Sequence, residues 1–258
     1  MMENKKTELC RMCKMPLLDE SIISFKNMPK SAQHFPDEHD LDYERGEDIT
    51  IKECRFCGLV QAAGEPVSYY RDVIRATGVS DSMREYRKNQ YREWVLKYGL
   101  KNKRVIEIGC GSGEYMDMME LSGVDVCGLE HGEENIAAAK SVGHDVISGF
   151  VEAEDYEISG APYDGFYCMN FLEHIPNPRS FLMGIALNLK DGAAGLIEVP
   201  NFDMMIDKAL YSEFIQDHLS YFTAKSFETI LKISGFEVIK LTKIWRDYIL
   251  SAEIKKRS

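Results

Sequence analysis

The chain has 258 residues, 45% of them hydrophobic, which is enough for one sizeable core and a smaller appended module. Its formal charge of −11 argues against generic binding to nucleic acid or anionic lipid. No apolar run reaches the ~18 residues of a membrane-spanning helix and residues 1–6 carry no apolar signal core, so a cytoplasmic protein with no membrane partner is expected.

Residues 1–66 lack helical periodicity and are rich in turn-forming and charged residues, so this segment is poorly equipped to bury a core alone. It holds Cys10-x-x-Cys13 and, further on, Cys54-x-x-Cys57. Two such pairs suit a structural zinc ion held by four thiolates, each pair forming a tight knuckle. Arg11, Lys14, Lys52 and Arg55 would offset part of its negative charge. Unliganded thiols and an iron–sulfur cluster are the alternatives. Cys110, Cys127 and Cys168 lie singly in apolar runs and read as ordinary buried thiols. In residues 67–100, Tyr86, Tyr91, Trp94 and Tyr98 are interleaved with charged residues, which predicts one or two amphipathic helices ended by Gly99.

Residues 101–258 alternate regularly. Strands are predicted at 104–108, 125–129, 144–148, 163–171 and 194–199, and helices at 114–121, 133–142, 178–189 and 224–234. Two last strands, 236–244 and 248–254, read as an antiparallel hairpin. This is the pattern of an α/β fold with a mostly parallel sheet covered on both faces.

Gly109-x-Gly111-x-Gly113 follows the first of these strands and opens a helix, the turn at which doubly wound sheets bind ligands. Glycines there let the backbone approach a ligand closely. A phosphate loop would need Lys-Ser/Thr, and a dinucleotide site a glycine at 114 or 115, where Glu and Tyr stand. Glu107 lies within the strand, and the next strand ends on Glu130, whose carboxylate can accept two ribose hydroxyls.

Glu107-Ile-Gly-Cys-Gly-Ser-Gly113 followed by Glu130 resembles the class I S-adenosylmethionine (SAM)-dependent methyltransferases, over roughly residues 100–255. The resemblance implies a seven-stranded Rossmann-like sheet and SAM as cofactor. Glu107 and Gly109 would line its methionine end, and Cys110, Gly111 and Gly113 would shape the loop beneath. Glu130 would hold the ribose, with His131, Val151 and Glu152 around the adenine. Residues 170–174, Asn170 and Leu172 among them, would face the methyl group.

A second resemblance concerns the flanks. Cys10-Arg-Met-Cys13 with Cys54-Arg-Phe-Cys-Gly-Leu-Val-Gln61 is similar to the N-terminal zinc-binding domain of the sugar C-methyltransferases, as are the 76–86 linker and Phe214-Ile-Gln-Asp-His-Leu-Ser-Tyr-Phe222. It implies a zinc module at 1–66, a substrate-contacting linker at 67–100, a methyltransferase domain at 101–258 and structural Zn2+. The acceptor would be carbon 3 of a nucleotide-linked 4-keto-deoxysugar. The sequence departs from that family at Ile215, Gln216 and Asp217, has Ile74 or Arg75 in place of the family's linker tyrosine, and ends at Ser258, where long members continue into a further domain. An O- or N-methyltransferase acting on a sugar or secondary metabolite, and an inactive zinc-containing binding protein, are the other readings.

A carbon acceptor needs a base and a group to stabilise the enolate oxygen. His218 is the candidate base, supported by Asp217, and His174 the residue that positions or polarises the substrate. Either histidine could instead be structural. His34, His39 and His144 lack such context and are expected to be solvated.

Overall fold

The computed structural model describes residues 7–29, 39, 45–68, 70–71 and 79–258. His34, Ile74, Arg75 and residues 76–78 of the linker lie outside the described residues. The chain begins with strands β1 (Ile23–Met28), β2 (Glu47–Glu53) and β3 (Val60–Ala62), paired antiparallel in that order. Helix α1 (Asp81–Tyr98) follows as a single helix. The Ser80 side chain accepts a hydrogen bond from the Met83 amide at its start, and Gly99, at φ 64°, ends it. Its buried face carries Tyr91, Trp94 and Val95 together with a buried charge, Arg87.

Next come β4 (Arg104–Ile108), α2 (Glu114–Glu120), β5 (Asp125–Glu130), α3 (Glu133–Ser141) and β6 (Val146–Ser148). Then follow β7 (Tyr163–Met169), α4 (Pro178–Leu187), β8 (Leu189–Pro200), α5 (Phe202–Asp207) and β9 (Ser220–Tyr221). The chain closes with α6 (Ala224–Ile233), β10 (Phe236–Ile244) and β11 (Ile249–Lys256).

The largest difference from the predicted boundaries lies where α4 meets β8. Helix α4 stops at Leu187 because the buried Asn188 side chain donates to the carbonyls of Tyr156 and Gly184 and accepts from the Ile158 amide. Strand β8 therefore starts earlier than expected, at Leu189. Helix α5 was not predicted; at six residues it is too short to show a period.

The main sheet has seven strands in the order β10-β11-β8-β7-β4-β5-β6. Strands β8, β7, β4, β5 and β6 are parallel, and the β10–β11 hairpin adds antiparallel to β8. The order reverses between β4 and β7, so the cleft above their carboxyl ends is the natural ligand site. Layers on the two faces bury the apolar strands. One layer includes Tyr91, Trp94 and Met116, from α1 and α2. The other is continuous with Cys10, Met12, Cys54 and Leu59 of the N-terminal segment.

The small sheet is completed from far along the chain: β9 pairs with β3, Gln61 opposite Ser220 and Val60 opposite Tyr221. Its apolar face, Ile49, Ile51 and Val60, packs on Phe202, Met205 and Phe214. The N-terminal residues thus bury their core against the larger sheet's connections. Among the described residues, no helix is long and apolar enough to cross a membrane.

Candidate active site

The loop from β4 to α2 turns through three left-handed glycines, Gly109, Gly111 and Gly113, at φ 71°, 56° and 91°. Two of them are sterically fixed. A Cβ on Gly109 would lie 3.0 Å from the Phe171 ring, and one on Gly113 2.4 Å from the His144 ring. His144 is therefore buried, contrary to expectation, with its ring nitrogens 3.1 Å from Asp117 and 3.1 Å from Glu120.

Glu130, at the end of β5, turns its carboxylate onto this loop. It accepts from the Gly111 amide at 2.8 Å through one oxygen, and from the His131 and Gly132 amides at 3.0 and 2.8 Å through the other. It lines a cavity of about 590 Å3 above β4 and β7, together with Gly109, Gly111, Ser112, Asn135 and Asn170. A narrower cleft continues from it past His131, Gly149, Phe150 and Val151, closed over by Arg71. The Arg71 guanidinium lies 2.6 Å from Glu152 and stacks 5.7 Å from the Phe150 ring.

Three predicted cofactor residues stand behind this wall rather than on it. Glu107 is fully buried in the middle of the sheet, opposite Gly128 and Tyr167. The Cys110 side chain packs into the core layer beneath the loop, so only its main chain serves the turn. Leu172 belongs to the opposite core layer. Asn170 does face the cavity, in a left-handed conformation at φ 49°.

The other end of the cavity is built from two segments. Residues Leu172–His174 form a single 3-10 turn after β7, and residues 215–218 form a turn before β9. A Leu219 amide to Glu173 carbonyl bond of 2.9 Å joins them. The His174 and His218 rings stand edge to face, with centroids 4.8 Å apart. Nδ1 of His174 lies 2.9 Å from the main-chain oxygen of Asp217. Asp217 thus reaches His174 through its backbone.

Burial pushes both imidazoles down, His218 further because His174 adds to the effect. Burial pushes the Glu173 carboxyl up, to about 8. A neutral His174 that donates from Nδ1 presents a lone pair to the cavity, so it can polarise an oxygen only with a proton or cation in between.

Sequence reasoning missed Arg71, Trp245 and Tyr248 as lining residues, and gave Glu173, within the 170–174 segment, no role of its own. Trp245 and Tyr248 come from the β10–β11 turn, where Trp245, Arg246 and Asp247 all have positive φ without a glycine to signal it.

The four cysteines form a separate cluster, all Sγ atoms within 4.8 Å of one another. The two knuckles repeat one design. In each, the residue after the second cysteine is left-handed (Lys14, φ 60°; Gly58, φ 70°) and donates to the first cysteine's carbonyl, at 2.9 and 2.8 Å. The Cys10–Cys57 and Cys13–Cys54 sulfur distances are 3.5 Å. Sulfurs on a tetrahedral zinc at ~2.3 Å stand roughly 3.8 Å apart, so this set fits the ion with little movement.

Residues 83–241 match the methyltransferase domain family. The chain belongs to that family. Among curated relatives it is similar to the ubiquinone biosynthesis O-methyltransferases of Erwinia tasmaniensis, 34% identical over 108 residues, and of Pectobacterium atrosepticum, 37% over 100. The matched stretches cover 39% and 36% of this chain, and 44% and 41% of those relatives, so less than half of either relative's length is spanned. Among solved structures, a SAM-dependent methyltransferase from Clostridium acetobutylicum superposes with TM-score 0.58 at 11% identity, covering 73% of this chain and 96% of that one. The plantazolicin methyltransferase BpumL, in complex with SAH, gives 0.53 at 17%, covering 67% and 82%. These two likenesses establish the shared methyltransferase fold.

Proposed function

We propose that the methyltransferase domain binds SAM along the Gly109–Glu130 wall and methylates an oxygen of a small molecule held against Glu173, His174 and His218. The observation that carries this reading is the continuity of one cavity from the Glu130 carboxylate to the paired histidines. Its volume of about 590 Å3 falls within the range of small-molecule sites.

The fit to SAM rests on this chain's own geometry. Glu130 stands where ribose hydroxyls can donate to it, and Gly109 leaves a passage that any side chain would block against Phe171. Val151, Phe150 and His131 offer an apolar and aromatic slot for the adenine. When bound, SAM supplies an electrophilic methyl group. The chain's work is to exclude water, align the acceptor atom behind that methyl group and draw off its proton. Tyr86 and Trp245, edge to face at 5.0 Å, stiffen the edge of the cavity from which Trp245 projects.

An oxygen acceptor agrees with the curated relatives' names, and a hydroxyl can donate directly to a neutral imidazole lone pair. The cysteine module, in contrast, favours the second reading, C-methylation at carbon 3 of a nucleotide-linked 4-keto sugar. Its zinc would hold the knuckles and stay clear of the chemistry.

The test is incubation with methyl-labelled SAM and a panel of phenols, sugar alcohols and keto sugars. Label in an ether confirms the first reading. Label on carbon, with exchange of the adjacent proton, replaces it with the second. No SAM binding by calorimetry overturns both and leaves a binding protein. His218→Ala is expected to abolish turnover and leave SAM affinity intact; unchanged turnover removes that end of the cavity from the mechanism.

A further inference from the structure

Among the described residues the cavity is lined by four carboxylates, Glu114, Glu130, Glu173 and Glu213, and by neither lysine nor arginine. Two of the four belong to the cofactor half. The other two stand at the histidine end, against which the acceptor would be held. Glu173 is buried to 2% exposure, and its Oε2 has no hydrogen-bond partner.

Ligand atoms of Glu173, His174 and His218 lie within 4.8 Å of one another. Nε2 of His174 is 3.8 Å from Oε1 of Glu173. The His174 imidazole is anchored through Nδ1 on the main-chain oxygen of Asp217. That arrangement fixes the ring and its tautomer and turns the remaining lone pair outward, as metal-binding histidines do. Once the Glu173 carboxyl is ionised, its unpartnered Oε2 and the outward lone pair of His174 converge beside His218, a set that a cation satisfies.

We propose that Glu173, His174 and His218 bind one divalent transition-metal ion, distinct from the zinc suited to the cysteine cluster, which coordinates the acceptor's oxygen. Two imidazoles and one carboxylate select a first-row ion such as Mn2+, Fe2+, Co2+ or Zn2+ and leave coordination positions open on the cavity side. The proposal rests on reading this cavity as the acceptor site. A hydroxyl coordinated here loses its proton to solvent water at lower pH than a free one, and presents its oxygen as an alkoxide or phenolate. His218 then acts as ligand rather than as the base expected from the sequence, and the substrate class narrows to acceptors with an ionisable hydroxyl.

The experiment is a Mn2+ titration of the full zinc-loaded chain, followed by the electron paramagnetic resonance of free and bound Mn2+. Mn2+ prefers oxygen and nitrogen ligands over four thiolates, so the cysteine cluster does not compete. One Mn2+ per chain is expected, with nitrogen couplings from imidazole in the pulsed spectrum. Glu173→Gln and His218→Asn should each weaken binding at least ~10-fold, and Glu130→Ala should leave it unchanged. No uptake, uptake without nitrogen coupling, or equal uptake by all variants overturns the site. A parallel SAM titration separates the two readings: SAM binding without Mn2+ binding removes only the metal, and Mn2+ binding without SAM binding removes only the methyltransferase assignment.

Discussion

Gln61 of β3 and Ser220 of β9 are register partners within the small sheet, which β9 joins from far along the chain. The strand leaving the Cys54–Cys57 knuckle therefore runs beside the segment that carries His218. The Leu219 amide continues the link to Glu173.

Loss of the zinc proposed for the cysteine cluster should be felt at the acceptor end first. With Cys54→Ser, or after chelation, we expect turnover to fall at least ~10-fold and the acceptor KM to rise, since supporting contacts of this kind are worth roughly 10–100-fold at a site. SAM affinity should change by less than about threefold. Metal analysis with calorimetric SAM titration checks both halves; equal loss of SAM and acceptor binding would indicate global unfolding instead.

Glu130 faces the cavity and also ties down the loop. Glu130→Ala should weaken SAM by roughly 10- to 150-fold, the equivalent of about 1.5–3 kcal/mol for hydrogen bonds to a charged acceptor. Calorimetry reads this directly. An unchanged affinity would place the ribose elsewhere.

The loop glycines should not be equally sensitive. Gly113→Ala combines φ 91° with a Cβ 2.4 Å from His144, while Gly111→Ala, at φ 56°, meets no atom within 4 Å. Urea unfolding should show about 1–3 kcal/mol lost for Gly113→Ala, and less for Gly111→Ala.

Arg87 of α1 and Glu198 of β8 form a fully buried ion pair at 2.6 Å. Gln90 and Ser251 also donate to Glu198, at 2.6 and 2.8 Å. Arg87→Met leaves that carboxylate without its charge partner and should cost about 3–5 kcal/mol of stability. Replacing both residues with apolar ones should recover part of the loss, and an additive double variant would refute the pairing.

Much of the fold was legible because its local rules agree. The glycine turn after β4, the Pro178 start of α4 and the strand–helix alternation each come from a single stretch of chain. The cysteine knuckles were legible for the same reason, since their spacing sets their shape. The sequence did not predict the unflagged left-handed turn at 245–247, which brings Trp245 into the cavity, nor the burial of His144 under Gly113.

By itself, the sequence determined the doubly wound sheet, the glycine loop with Glu130 beyond it, and the four-thiol cluster, because each depends on spacing within one or two neighbouring elements. Only the tertiary structure decided which carboxylate serves the cavity. Glu107 and Glu130 both lie on strands beside the loop. Glu107 sits in mid-sheet, where the packed layers enclose it, and Glu130 stands at the open strand end. The structure also brought Glu173 and His174 against His218, which depends on β9 pairing with β3, a long-range register that no local pattern encodes.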